Sequence, residues 1–169
     1  MSSFPRKRFK AVTAVVAAVA GAAGAVSTGP ASAATYKEFE NANSKLFLAI
    51  PKDGSASGTG AIQWTCDGNP DQAWGPVLLN DTEFEVVNFN SQDCLGISGS
   101  STAIGVQAVQ RPCDGSVDQF WSLDSSGRLW NVHSQHCLAV PNASKAVGVE
   151  VIQWTCGDVS TAPEQKWTT

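Results

Sequence analysis

Apolar positions fall into two regimes along this chain. Ala11 to Val26 is almost unbroken small, apolar sequence, preceded by Arg6, Lys7, Arg8 and Lys10 and followed by Ala31-Ser32-Ala33. After residue 34 the apolar residues come in short runs cut by Gly, Pro, Asn, Asp and Ser, and none keeps the 3.6-residue period of an amphipathic helix. Leu46 to Ile50 and Ala61 to Cys66 flank Asp53-Gly54-Ser55-Ala56-Ser57-Gly58, and Cys137 to Val140 and Val149 to Cys156 flank Pro141-Asn142-Ala143-Ser144-Lys145. Short strands divided by turn-forming residues predict an all-β barrel or sandwich. The first regime predicts a cleaved secretory signal peptide over residues 1–34. It has a basic head, an apolar stretch of about 16 residues, short for a bilayer span, and a small-x-small cleavage pattern.

The second regime repeats itself. Gln72-Ala73-Trp74, Gln119-Phe120-Trp121 and Gln165-Lys166-Trp167 are Q-x-W triplets spaced 47 and 46 residues apart. Asn88-x-x-Ser91-Gln92-x-Cys94-Leu95 returns as Asn131-x-x-Ser134-Gln135-x-Cys137-Leu138, with a fainter copy at Asn41, Ser44, Phe47 and Leu48. The phrase Ala61-Ile62-Gln63-Trp64-Thr65-Cys66 is echoed at Val151 to Cys156 and, degraded, at Ala108 to Cys113. One motif used three times, over residues 36–80, 81–124 and 125–169, favours a closed pseudo-threefold barrel, because closure leaves no free strand edge.

The five cysteines follow the same period. Cys94 and Cys113 lie 19 apart, as do Cys137 and Cys156, and stepping back 19 from Cys66 lands on Phe47. Two disulfides, Cys94–Cys113 and Cys137–Cys156, are expected in an exported protein, with Cys66 left as a thiol. A zinc site would need C-x-x-C or C-x-x-H spacing, which is missing, and no cofactor or metal is called for.

Three Q-x-W triplets in register with C-L and W-x-C motifs resemble the ricin B-type lectin family over about Tyr36 to Trp167. The resemblance implies a β-trefoil of twelve short strands in three lobes, each able to hold a shallow pocket for galactose- or xylose-type sugars. It also implies that Trp74, Trp121 and Trp167 belong to the core, and that Trp64 and Trp154 are stacking plates. A pyranose presents a C–H face suited to an aromatic plate and a rim of hydroxyls suited to fixed acceptors. Arg111 replaces the plate in the middle unit, so that pocket is expected to be silent. The chain departs from the family where an Asp would follow the C-L cysteine by two positions, since Ala49, Gly96 and Ala139 stand there. An acid does precede each Q-x-W: Asp71, Asp118 and Glu164. Either the acceptor has moved to this turn, or these acids merely cap turns. The candidate carbohydrate-binding residues are Trp64, Asp71, Gln72, Trp154, Glu164 and Gln165, with the two glutamines expected to bond to backbone and at most to orient the pocket.

Charge narrows the partners. Beyond residue 34, seven basic residues face fifteen acidic ones, a net charge near −8 that repels nucleic acid and anionic membrane. The 135 residues after position 34 suit one domain, expected as a secreted monomer. A trefoil scaffold that binds or inhibits another protein is the alternative function. An enzyme lacks support, because no carboxylate pair or Ser-His-Asp constellation is visible and both histidines fall in one short segment.

Overall fold

The computed structural model describes residues 35–158 and 160–169, with only the backbone of Asp53, so the expected signal peptide lies outside the described residues. Among these residues there are twelve strands, four to each repeat, and no helix long and apolar enough to cross a membrane. The first repeat carries β1 (Glu40–Asn41), β2 (Phe47–Ala49), β3 (Ile62–Trp64) and β4 (Trp74–Leu78). The second carries β5 (Phe84–Asn88), β6 (Cys94–Ile97), β7 (Ala108–Arg111) and β8 (Phe120–Leu123). The third carries β9 (Leu129–Asn131), β10 (Cys137–Ala139), β11 (Ile152–Trp154) and β12 (Trp167–Thr168).

Two short 3₁₀ turns punctuate every repeat. One follows the second strand (Pro51–Asp53, Ser98–Ser100, Pro141–Ala143), and the other precedes the fourth (Pro70–Gln72, Val117–Gln119, Pro163–Gln165). Proline opens four of these six turns, where its fixed φ suits the bend and its missing N–H costs nothing.

The expected sealed cylinder is only partly realised. The ladders run in two sheets, β12-β1-β2-β3 and β11-β10-β9-β8-β5-β6-β7 with β4 paired to β5. Single bridges join them, Lys37 with Trp74 and Ile62 with Glu150. The strands are too short and their turns too frequent to hold a continuous ladder around the whole circumference.

Threefold order is tightest in the core. Its fifteen buried residues form five equivalent triplets: Phe39, Val86 and Leu129; Leu48, Leu95 and Leu138; Ile50, Ile97 and Val140; Ala61, Ala108 and Val151; Trp74, Trp121 and Trp167. The three tryptophans are essentially inaccessible, and each indole N–H donates to the carbonyl of its own repeat's leucine at 2.9, 2.8 and 3.1 Å. A buried indole with its N–H satisfied retains the full benefit of its apolar area.

A second triplet of contacts ties the repeats into a ring. Gln63, in β3, donates through Nε2 to the carbonyls of Ser144 and Ala146, at 3.1 and 2.7 Å, in the third repeat. Gln110 reaches Gly54 and Ala56 of the first repeat in the same way, at 3.0 and 3.1 Å. Gln153 reaches Ser101 and Ala103 of the second, at 2.9 and 2.7 Å. Each glutamine's Oε1 accepts from a serine of its own repeat, Ser44, Ser91 or Ser134, at 2.6–2.8 Å. The repeated Asn completes the design, as the side chains of Asn41, Asn88 and Asn131 donate to the backbone carbonyls of Glu164, Asp71 and Asp118 in the preceding repeat. The repeated Asn-x-x-Ser and I-Q-W phrases therefore encode joints between neighbours.

Both expected disulfides are present, Cys94–Cys113 and Cys137–Cys156, each with Cα atoms 5.0 Å apart, and Cys66 is a free, exposed thiol.

Candidate carbohydrate site

The three corners where a W-x-C segment meets a Q-x-W turn are built from the same parts and differ in their contents. In the first repeat, β3 ends on Trp64, which is 39% exposed, and the turn Pro70–Gln72 presents Asp71, only 5% exposed. Both line one open depression of about 320 Å³, together with Ile50, Pro51, Lys52, Ile62, Asp67 and Asn69. The structure thus brings together two residues singled out from the sequence, an indole and a carboxylate. It adds three polar neighbours that the sequence reading missed: Lys52, Asp67 and Asn69. Asn69 is held by its N–H donating to Asp67 at 3.1 Å.

In the third repeat, Trp154 is 44% exposed at the end of β11, and Glu164 is half-buried in its turn. The segment between them is longer, with nine positions from Cys156 to Gln165 against six from Cys66 to Gln72. This corner therefore has the same plate, a longer and more exposed acid, and a different wall.

The second repeat is closed from within. Arg111, at the plate position, donates through Nη2 to Asp118 Oδ2 at 2.7 Å. The same oxygen accepts the Ile97 N–H at 3.1 Å, and Oδ1 accepts the Ser100 hydroxyl at 2.7 Å. Asp118 is fully buried, with its charge taken up by its own protein. A Cβ placed on Gly96 would lie 2.9 Å from Asp118 Oδ2. The turn acid therefore occupies the space above the strand position where the family's Asp would project, and only a very small residue fits beneath it. Ala49 and Ala139, both buried, are the small residues at the matching positions in the other repeats.

Gln72 and Gln165 are placed differently from the plates. Both are buried. Gln72 donates to the Thr65 carbonyl at 2.7 Å and accepts the Asp67 N–H at 3.2 Å, while Gln165 donates to Thr155 at 3.0 Å and accepts from Gly157 at 2.8 Å. Their amides are committed to the W-x-C segment, so they set the wall of the corner, and their polar atoms are engaged there. Cys66, beside the first corner, lies 3.7 Å from both oxygens of Glu38, to which its thiol donates. Burial, reinforced by the Glu38 charge, pushes its pKa up, which lowers the share of reactive thiolate.

The sequence profile of the ricin-type beta-trefoil lectin domain matches residues 35–168. No curated protein sequence matches the chain. Among solved structures, the designed threefold-symmetric protein ThreeFoil is 28% identical, covering 78% of this chain and 95% of its own, with a TM-score of 0.74. The hemolytic lectin CEL-III is 27% identical over 79% of this chain, with a TM-score of 0.62, and this chain spans only 29% of it. The C-half of the earthworm R-type lectin, solved in complex with GalNAc, shares the fold at 15% identity, covering 79% of this chain and 95% of its own, with a TM-score of 0.65.

Proposed function

The chain belongs to the ricin-type β-trefoil lectin family, a carbohydrate-binding module, and on that premise we propose that it binds polysaccharide or glycan sugars through its first and third repeats only. The observation that carries this reading is the depression that Trp64 and Asp71 both line. Trp64 takes the C–H face of a pyranose, and Asp71 accepts from its hydroxyls in place of the strand acid that Ala49 lacks. The swap of a turn acid for a strand acid is supported by the crowding of Asp118 over Gly96 in the second repeat. Trp154 and Glu164 form the second working site, while Gln72 and Gln165 hold the walls. Galactose- or xylose-type sugars are the expected ligands, bound weakly at each site and strengthened by engaging both. The protein acts as a secreted, non-catalytic monomer.

Calorimetric titration with galactose and xylose tests this. Asp71→Asn keeps the shape but removes a charge-assisted acceptor, and is expected to weaken the first site by about tenfold. Unchanged binding in both Asp71→Asn and Glu164→Gln would leave the acids as turn caps and end the swap.

A further inference from the structure

The plates do not stand on their own repeats alone. Cζ3 of Trp64 faces Gly148 of the third repeat, where an added Cβ would lie 3.5 Å away, and Cζ3 of Trp154 faces Gly105 of the second, at 3.6 Å. Both glycines have left-handed backbones, φ +81° and +80°, and their N–H groups donate to Gln63 and Gln153, each at 2.8 Å. The ring of glutamine clamps thus lays each connecting loop beside the next repeat's plate. Gly58 completes the set at φ +84°, its N–H donating to Gln110 at 2.7 Å, yet nothing lies within 4 Å of its Cβ direction, because Arg111 has folded away towards Asp118.

The residue just before each glycine tracks the presence of a plate. Before Gly148 is Val147, 46% exposed, and before Gly105 is Ile104, 48% exposed. Before Gly58, where the plate is gone, stands Ser57. The half of each branched aliphatic left in water at these loop tips adds nothing to folding, and Ser57 stands at the matching position of a loop with the same glycine geometry. Consecutive Cα atoms lie about 3.8 Å apart, so the Val147 backbone is within about 9 Å of the indole edge. Val147 and Gly148 lie outside the lining of the first repeat's depression, and Gly148 places this loop against the indole's Cζ3 edge.

We propose that Trp64 with Val147, and Trp154 with Ile104, form two-part platforms across repeat boundaries that take the apolar faces of two consecutive rings of an oligosaccharide. The proposal rests on the carbohydrate-binding reading and sharpens it: the ligand is a sugar chain, and single sugars fill only half of each site. The middle repeat, silent as a pocket, is thereby a working part of the third site through Ile104 and Gly105. The indole meets the first ring and the aliphatic group meets the next.

The test is calorimetric titration of the purified protein and of an Ile104→Ser, Val147→Ser double variant with galactose, xylose, β-1,4-galactotriose and β-1,4-xylotriose. Serine is already present at position 57 in the same loop context, so the variant is expected to keep the wild-type melting temperature. Covering about 40 Å² of aliphatic surface is worth roughly fivefold in affinity. The expected result is that one trisaccharide binds the wild type about fivefold tighter than its monosaccharide, and that the double variant loses this advantage while its monosaccharide affinity is unchanged. A trisaccharide preference equal in both proteins, or absent from the wild type, overturns the platform while leaving the carbohydrate reading in place. A wild type that binds none of the four sugars fells that reading, and the platform with it.

Discussion

The first and second repeats share a scaffold and differ at its corner. Both have the core triplets, the asparagine and glutamine joints, and a buried acid in the turn before the fourth strand. In the first, that acid shares an open depression with an exposed indole. In the second, a guanidinium replaces the indole, and the acid is saturated by Arg111, Ser100 and the Ile97 N–H. The first corner turns an indole outward beside its acid, and the second turns a guanidinium inward onto it. The joints survive in the closed corner because the neighbours hang from them by hydrogen bonds, whereas the plate meets its neighbour through an indole edge against a glycine. Function is lost more easily than fold because the two are written in different residues.

The covalent side of the comparison is the most disruptable. Phe47 pairs with Trp64 in the register by which Cys94 pairs with Arg111 and Cys137 with Trp154. Phe47→Cys is therefore expected to bridge to Cys66 and give the first repeat the disulfide its sisters have. The expected gain is up to about 3 kcal/mol in urea unfolding, with thiol titration falling from one group to none. Next in size is Arg111→Ala, which strips Asp118 of its cation and leaves a carboxylate buried on two remaining hydrogen bonds. A loss of about 2 kcal/mol in urea unfolding is expected, below the cost of a fully enclosed pair because Arg111 keeps 24% side-chain exposure. Trp64→Ala should abolish first-site binding at a stability cost of about 1 kcal/mol, since the indole is 39% exposed and covers only part of its area against the fold. The smallest effect concerns Cys66. Its raised pKa predicts slower alkylation at pH 8 than for an unstructured cysteine, and Glu38→Gln should speed it in part, since burial is the larger cause.

Much of this was legible in the chain. The 19-residue cysteine spacing predicted both disulfides, and the Q-x-W period marked the three core tryptophans, because both rest on identity at fixed intervals. Trp64 and Trp154 do face solvent, Trp64 in the same depression as Asp71. Three things were not legible. The I-Q-W glutamines were visible only as part of a repeated phrase, since their partners are carbonyls in another repeat and carbonyls carry no letter. Gln72 and Gln165 read from the sequence as backbone-bonding residues that at most orient a pocket, but their partners, the Thr65 and Thr155 carbonyls and the Asp67 and Gly157 N–H groups, carry no mark in the chain. The open seam between the sheets depends on how far ladders of two to five residues extend, which is settled by local twist and turn geometry.

The glutamine joints run from the first repeat to the third, from the third to the second, and from the second to the first. A cycle of this kind has no privileged opening. Since β1 lies hydrogen-bonded against β12 with Glu40 opposite Thr168, circular permutation is open to the described fold. Residues 36–169 rejoined through a short linker and reopened in the hairpin between Asn80 and Asp81 would keep every clamp intact. Removing any one third would instead break two clamps at once, so the triplet is indivisible even though it can start anywhere.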